Sequence, residues 1–152
     1  ILNSDVINFY HKFNFLDIEK ITFQKILIEN CRALPFNKNY NKLTEATIIL
    51  HYLIYLQISS QSNSMYYKYF DEILNAVTFE LYFQEEVISA NKEIIKHLGN
   101  IKSINSSMSN EEKLAIIQTE FNRLYDPNHP VRNNIETLDS VEEVRIIKES
   151  LK

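Results

Sequence analysis

A single glycine in 152 residues limits what this chain can fold into. Tight turns between paired strands need positive φ, and glycine reaches that region without steric penalty. Only three prolines accompany it, against backgrounds of about 7% glycine and 5% proline. A turn-rich β fold is therefore disfavoured, and helices joined by Asn- and Ser-bearing loops are expected. The length corresponds to about one domain, and 45% hydrophobic residues supply material for a core.

The expected fold is mainly α, with a small N-terminal α/β remnant (a helix plus one or two short strands) over residues 1–42. A helical bundle of about five helices follows over residues 43–152. Ser4 is placed to cap a first helix over 4–13, on which Val6, Ile7, Phe9, Tyr10 and Phe13 form an apolar face. Residues 21–28 are β-branched and partly alternating, as in an edge or paired strand. Pro35 closes this unit by biasing Leu34 away from helix. The asparagine-rich stretch 37–41 reads as a linker. Thr44 is expected to cap a helix over 44–59 whose apolar residues lie nearly all round, marking it as the central buried helix.

Ser64 caps the next helix, with Tyr67, Phe70, Ile73, Leu74, Val77, Leu81 and Tyr82 as its core stripe. A break is expected near 84–86. Residues 91–98 form a short amphipathic turn that Gly99 ends in the left-handed region. Loop follows over 100–108. Ser109 with Glu112 makes a capping box for a helix over 111–125. Asp126-Pro127-Asn128-His129-Pro130 is a rigid turn, and Ser140 with Glu143 is read as a second capping box for a final helix.

The net charge of −4 argues against a strongly basic nucleic-acid module. The charge is uneven. Residues 1–42 carry Lys12, Lys20, Lys25, Arg32, Lys38 and Lys42 against Asp5, Asp17, Glu19 and Glu29, whereas the remainder is acidic. DNA-contact candidates are therefore Lys12, Lys20, Lys25 and Arg32. Cys31 is the only cysteine, so an intramolecular disulfide and a cysteine zinc cage are excluded. A cytoplasmic protein is expected. The apolar run over 48–58 is too short to span a bilayer, so no membrane partner is expected. The chain opens on Ile1-Leu2 without an initiator Met, and a piece of a larger protein is the expectation.

A catalytic set needs a nucleophile or metal, a base and an electrophilic partner converging in space. With Gly99 as the only glycine, no glycine-rich phosphate or cofactor loop is possible. Glu80, Glu85, Glu86 and Glu93 lie near His97 in sequence, but the Glu-x-x-His spacing of di-iron bundles is missing. A solvated acidic helix face is the favoured reading, and no metal ligand or catalytic residue is assigned. His51 is read as a hydrogen-bonded core histidine, and Cys31 as a small buried residue. Tyr66, Tyr67, Tyr69 and Phe70 offer rings for base stacking, yet their helical spacing favours core packing. The turn 126–132 is the most unusual local sequence: Asp126 can accept backbone N–H bonds, while His129 and Arg132 offer donors. Its functional reading is a docking or phosphate-contacting loop through Asp126, Asn128, His129 and Arg132. A rigid connector with Arg132 paired to a nearby carboxylate is favoured.

Two blocks carry a resemblance. The first is Ile1-Leu2-Asn3-Ser4-Asp5-Val6-Ile7-Asn8-Phe9-Tyr10, followed by Phe23-Gln24-Lys25-Ile26 and Leu34-Pro35. It resembles the closing part of the target-recognition (specificity) domain of type IIG restriction-modification enzymes, with Asp5 where Lys is usual and Gln24 where Pro is usual. The second begins Val77-Thr78-Phe79-Glu80-Leu81-Tyr82-Phe83-Gln84-Glu85-Glu86. It continues through Leu124-Tyr125-Asp126-Pro127-Asn128-His129-Pro130-Val131-Arg132 and Leu138-Asp139-Ser140 to Glu143-Val144-Arg145-Ile146-Ile147. This block is similar to the helical tail at the C-terminus of the same enzymes.

The resemblance implies a parent that methylates adenine N6 in DNA with S-adenosylmethionine and cleaves DNA through a separate, Mg2+-dependent nuclease domain. It makes residues 1–42 the end of a specificity domain and residues 43–152 a helical C-terminal domain. It also implies partners: DNA through the parent enzyme, and the upstream methyltransferase and specificity domains. The N-P-P-Y methyltransferase signature is absent from these 152 residues, so no catalytic residue or cofactor is assigned within them. The alternative expectation is an independent helical protein–protein interaction module unrelated to DNA.

Overall fold

A computed structural model of the chain describes residues 4–15, 32–35 and 43–152. The described residues form α1 (Asp5–Phe15), α2 (Thr44–Ile58), α3 (Met65–Tyr82), α4 (Gln84–Ser89), α5 (Ile95–Leu98), α6 (Asn110–Leu124), α7 (Pro130–Glu136) and α8 (Glu142–Ser150), with a 3-10 turn at Leu138–Ser140 before α8. The mainly helical bundle expected from composition is present. The strand expected over 21–28, with Lys20, Lys25 and Cys31, lies outside the described residues.

The centre of the bundle is α3, not α2. Ala76, Val77, Thr78, Phe79 and Glu80 are consecutive buried residues on α3, and at 3.6 residues per turn such a run is covered on every side. By contrast, α2 buries Ile49, Tyr52, Leu53 and Leu56 along one stripe. Leu50, Ile54 and Ile58 stand exposed on its outer face, Ile58 at 79%. The all-round hydrophobicity of α2 thus reflects an uncovered aliphatic flank. His51 is on the exposed side, which corrects its reading as a core histidine.

The helix starts show which capping signals the tertiary structure uses. Ser64 Oγ accepts the Tyr67 N–H at 3.2 Å. Ser109 and Glu112 close the expected capping box, with the Glu112 N–H on Ser109 Oγ at 3.2 Å and the Ser109 N–H on Glu112 Oε2 at 2.7 Å. Three other expected caps are not used. Ser4 Oγ is buried without a hydrogen-bond partner, and the Asp5 N–H donates across to Asn75 Oδ1 on α3 at 3.0 Å. Thr44 is already inside α2, whose N-cap is Leu43. Ser140 is taken up in the 3-10 turn, its N–H on Thr137 O at 3.1 Å, so α8 starts from Val141 without a side-chain cap. Glu142 and Glu143 in its first turn still complement the helix dipole.

Packing draws the two ends of the chain together. Helix α1 packs on α3 and α8, and Lys12 Nζ donates to the Ser150 carbonyl at 2.6 Å. Val6 joins the main core cluster with residues of α2, α3, α6 and α8. Helices α3 and α4 are separated by a break at Phe83, whose N–H still bonds Phe79 O at 2.8 Å. Gly99 ends α5 at φ +64, a region costly for any residue with a Cβ.

Candidate functional site

The turn between α6 and α7 is built on an aromatic platform. Tyr66, Tyr69 and Phe70 of α3 meet Phe121 of α6 through edge contacts, the closest at 4.8 Å between centroids. Tyr125 stacks on Phe121 at 4.9 Å with planes 17° apart. The Tyr69 hydroxyl donates to the Leu124 carbonyl at 2.7 Å, tying the end of α6 to α3. Burial pushes the Tyr69 phenol above its ordinary range, against the nearby Arg132 cation. The ring therefore stays a neutral hydroxyl donor.

Arg132 closes this platform from above. Its guanidinium carbon lies 4.1 Å from the Tyr125 ring centroid, Nη1 donates to the Tyr125 carbonyl at 2.8 Å, and Nε donates to Glu136 Oε1 at 2.8 Å. Cation–π contact, a carbonyl bond and an ion pair thus occupy the group. Asp126 Oδ1 accepts the Asn128 N–H at 2.8 Å, and the His129 N–H closes the turn on Asp126 O at 2.9 Å. His129 acts as an acceptor, not the expected donor: its Nδ1 receives the Val131 N–H at 3.2 Å. Pro130 then occupies the first position of α7, where a missing N–H costs nothing. The structure brings Asp126, Asn128, His129 and Arg132 together as a rigid connector, with Arg132 paired to a carboxylate as favoured from sequence.

Of the DNA-contact candidates, Lys12 and Arg32 are described. Lys12 is engaged with Ser150 and lies 5.7 Å from the Phe13 ring centroid. Arg32 is exposed, and Lys20 and Lys25 lie outside the described residues. Two buried glutamates act as polar anchors, and the first of them, Glu80, corrects the expectation of a solvated acidic face. Glu80 is buried, and its Oε2 accepts the N–H groups of Ile94 at 2.5 Å and Ile95 at 2.9 Å. Glu120, 3% exposed, holds Arg123 Nη2 at 2.7 Å, and Arg123 Nη2 also donates to the Leu98 carbonyl at 2.9 Å. Together they fix the chain around α5 against α3 and α6. A signal for both was present: Glu80 follows Ile73 and Val77, and Glu120 follows Ile117, at core-stripe spacing.

An open cleft of about 410 Å³ lies among α1, α3, α7 and α8, lined by Asp5, Glu72, Asn75, Glu136, Leu138 and Lys148, among others. Burial holds the Glu72 carboxyl above its usual range, with Asp71 and Glu136 adding to the effect and Lys148 opposing it. Lys148 is itself paired with Asp139 at 2.5 Å. Among the described residues no group of three or more His, Cys, Asp or Glu side chains is arranged to hold a metal ion, and no helix is long and apolar enough to cross a membrane. Comparison with protein-family models, curated proteins and solved structures finds no match to this chain.

Proposed function

We propose that this chain is a non-catalytic C-terminal part of a type IIG restriction-modification enzyme, supporting DNA target recognition and packing against the methyltransferase region. The observation that carries this reading is the mutual packing of the two resembling blocks. Helix α1, from the first block, lies against α3 and α8, which hold the start and end of the second. A specificity domain braced by its own helical tail requires such a contact. The connector 126–132 fits a bracing role too, since its side chains are spent on the turn and the aromatic platform. No residue here is assigned to S-adenosylmethionine or Mg2+; both belong to the proposed parent's other domains.

In this reading the purified chain neither methylates nor cleaves DNA, and binds it weakly with strong salt dependence, because backbone phosphate contacts supply the attraction. Fluorescence anisotropy with duplex DNA across a salt series checks this. Tight, sequence-specific binding by the chain alone contradicts a supporting role, and methyl transfer by it ends the reading. The coding sequence upstream of Ile1 provides the companion test, through presence or absence of an N-P-P-Y methyltransferase. A second reading, a helical protein–protein interaction module unrelated to DNA, is favoured by the exposed Leu50, Ile54 and Ile58 flank of α2. An upstream N-P-P-Y methyltransferase in the same frame eliminates it.

A further inference from the structure

We propose that His129 is a proton-operated cap: the neutral imidazole accepts the Val131 N–H and holds the start of α7, and the imidazolium releases it. The geometry makes the two states incompatible. Nδ1 lies 3.2 Å from the Val131 nitrogen, so a proton on Nδ1 sets two N–H groups against one another. The Val131 donor then loses its partner at a residue that is fully buried, where an unpaired group is costly.

The surroundings oppose a second cation. Burial holds the His129 imidazole below its ordinary value of 6.5, and Arg123 of α6 and His97 of α5 act in the same direction. Asp126, in the same turn, is the facing carboxylate that opposes them. The other charges around these groups are already committed: Arg123 is held by Glu120, and Glu93 lies in an ion pair with Lys96. On α7 itself, Arg132 pairs with Glu136.

What the cap holds is the junction of three helices. Beyond Val131, Arg132 covers Tyr125 and Asn134 Nδ2 donates to the Glu93 carbonyl at 2.8 Å. Loss of the cap therefore loosens α7 from α5 and from the end of α6. Because the folded value lies below the unfolded one, the unfolded chain takes up the proton first as pH falls. The stability from this group is complete above 6.5 and is lost as pH falls through the folded value.

The test is an NMR titration of the whole chain, following the His129 ring and the Val131 amide. The expected result is a His129 midpoint below 6.5, with the Val131 amide shift moving on the same curve. In H129N, asparagine caps without titrating, and the acid-dependent movement of Val131 is lost while its amide stays protected from exchange. A His129 midpoint at or above 6.5, or a Val131 amide indifferent to the His129 titration, overturns the proposal. The wild-type titration decides the matter even where H129N fails to fold.

Discussion

Glu80 is held by two backbone N–H groups at the start of α5, so its side chain sets the position of a segment with little helical length of its own. Removing the acceptor strands one buried donor, Ile94, and one partly buried donor, Ile95, and an unpaired buried group costs about 1–3 kcal/mol. We predict that Glu80→Ala destabilises the fold by about 3 kcal/mol in urea denaturation, and a loss near zero rejects the anchoring role. Glu80→Gln keeps an acceptor oxygen without the buried charge, and is expected to be the milder change. Burial holds the Glu80 carboxyl above its ordinary 4.5, outweighing the Ile95 and Ile94 N–H bonds. The folded state therefore binds the proton more readily, and this stability is complete below 4.5 and lost as pH rises through the folded value. The stability of Glu80→Gln relative to wild type should consequently increase with pH; a decrease refutes the assignment.

At the scale of elements, local signals succeed where the chain has no better option and fail where a tertiary neighbour offers one. The Ser109–Glu112 box forms because the loop before α6 leaves its first N–H groups to their own side chains. Ser140 bears the same spacing to Glu143, yet Leu138 is buried, and anchoring it there winds the segment into a 3-10 turn. Ser109→Ala should therefore cost about 1 kcal/mol, whereas Ser140→Ala should stay within about 0.5 kcal/mol. Thermal denaturation of the two variants side by side distinguishes a used cap from an unused one, and equal losses contradict the geometry. The α2 assignment illustrates a related limit. Its composition was legible, but which flank faces the core depends on where α3 lies.

At the scale of the whole molecule, the aromatic cluster couples α3 to α6 and thereby to the connector. Phe121 is buried and meets the rings of Tyr66, Tyr69, Phe70 and Tyr125. Phe121→Ala should cost about 3–5 kcal/mol, detected as a large drop in the denaturation midpoint. Ile54, 46% exposed on the outer flank of α2, makes the opposite prediction. Ile54→Lys should change stability by no more than about 0.5 kcal/mol in the isolated chain. A severe loss would mean that this flank belongs to the intramolecular core.

By itself the sequence determined the helical class, the order and rough limits of most helices, a break expected near 84–86 that falls at Phe83, and the rigid turn before α7. These depend on local properties: scarce glycine, apolar spacing near 3.6 residues, and prolines that cannot continue a helix. The tertiary structure alone decided that α3 is central, that His51 faces out and that Asn75 caps α1. It also decided that Glu80 finds the Ile94 and Ile95 N–H groups. In each case the outcome rests on a partner distant in sequence or on which face another helix covers. A capping serine and a buried glutamate look alike in sequence whether or not their partners arrive, because hydrogen bonding is settled by proximity in space.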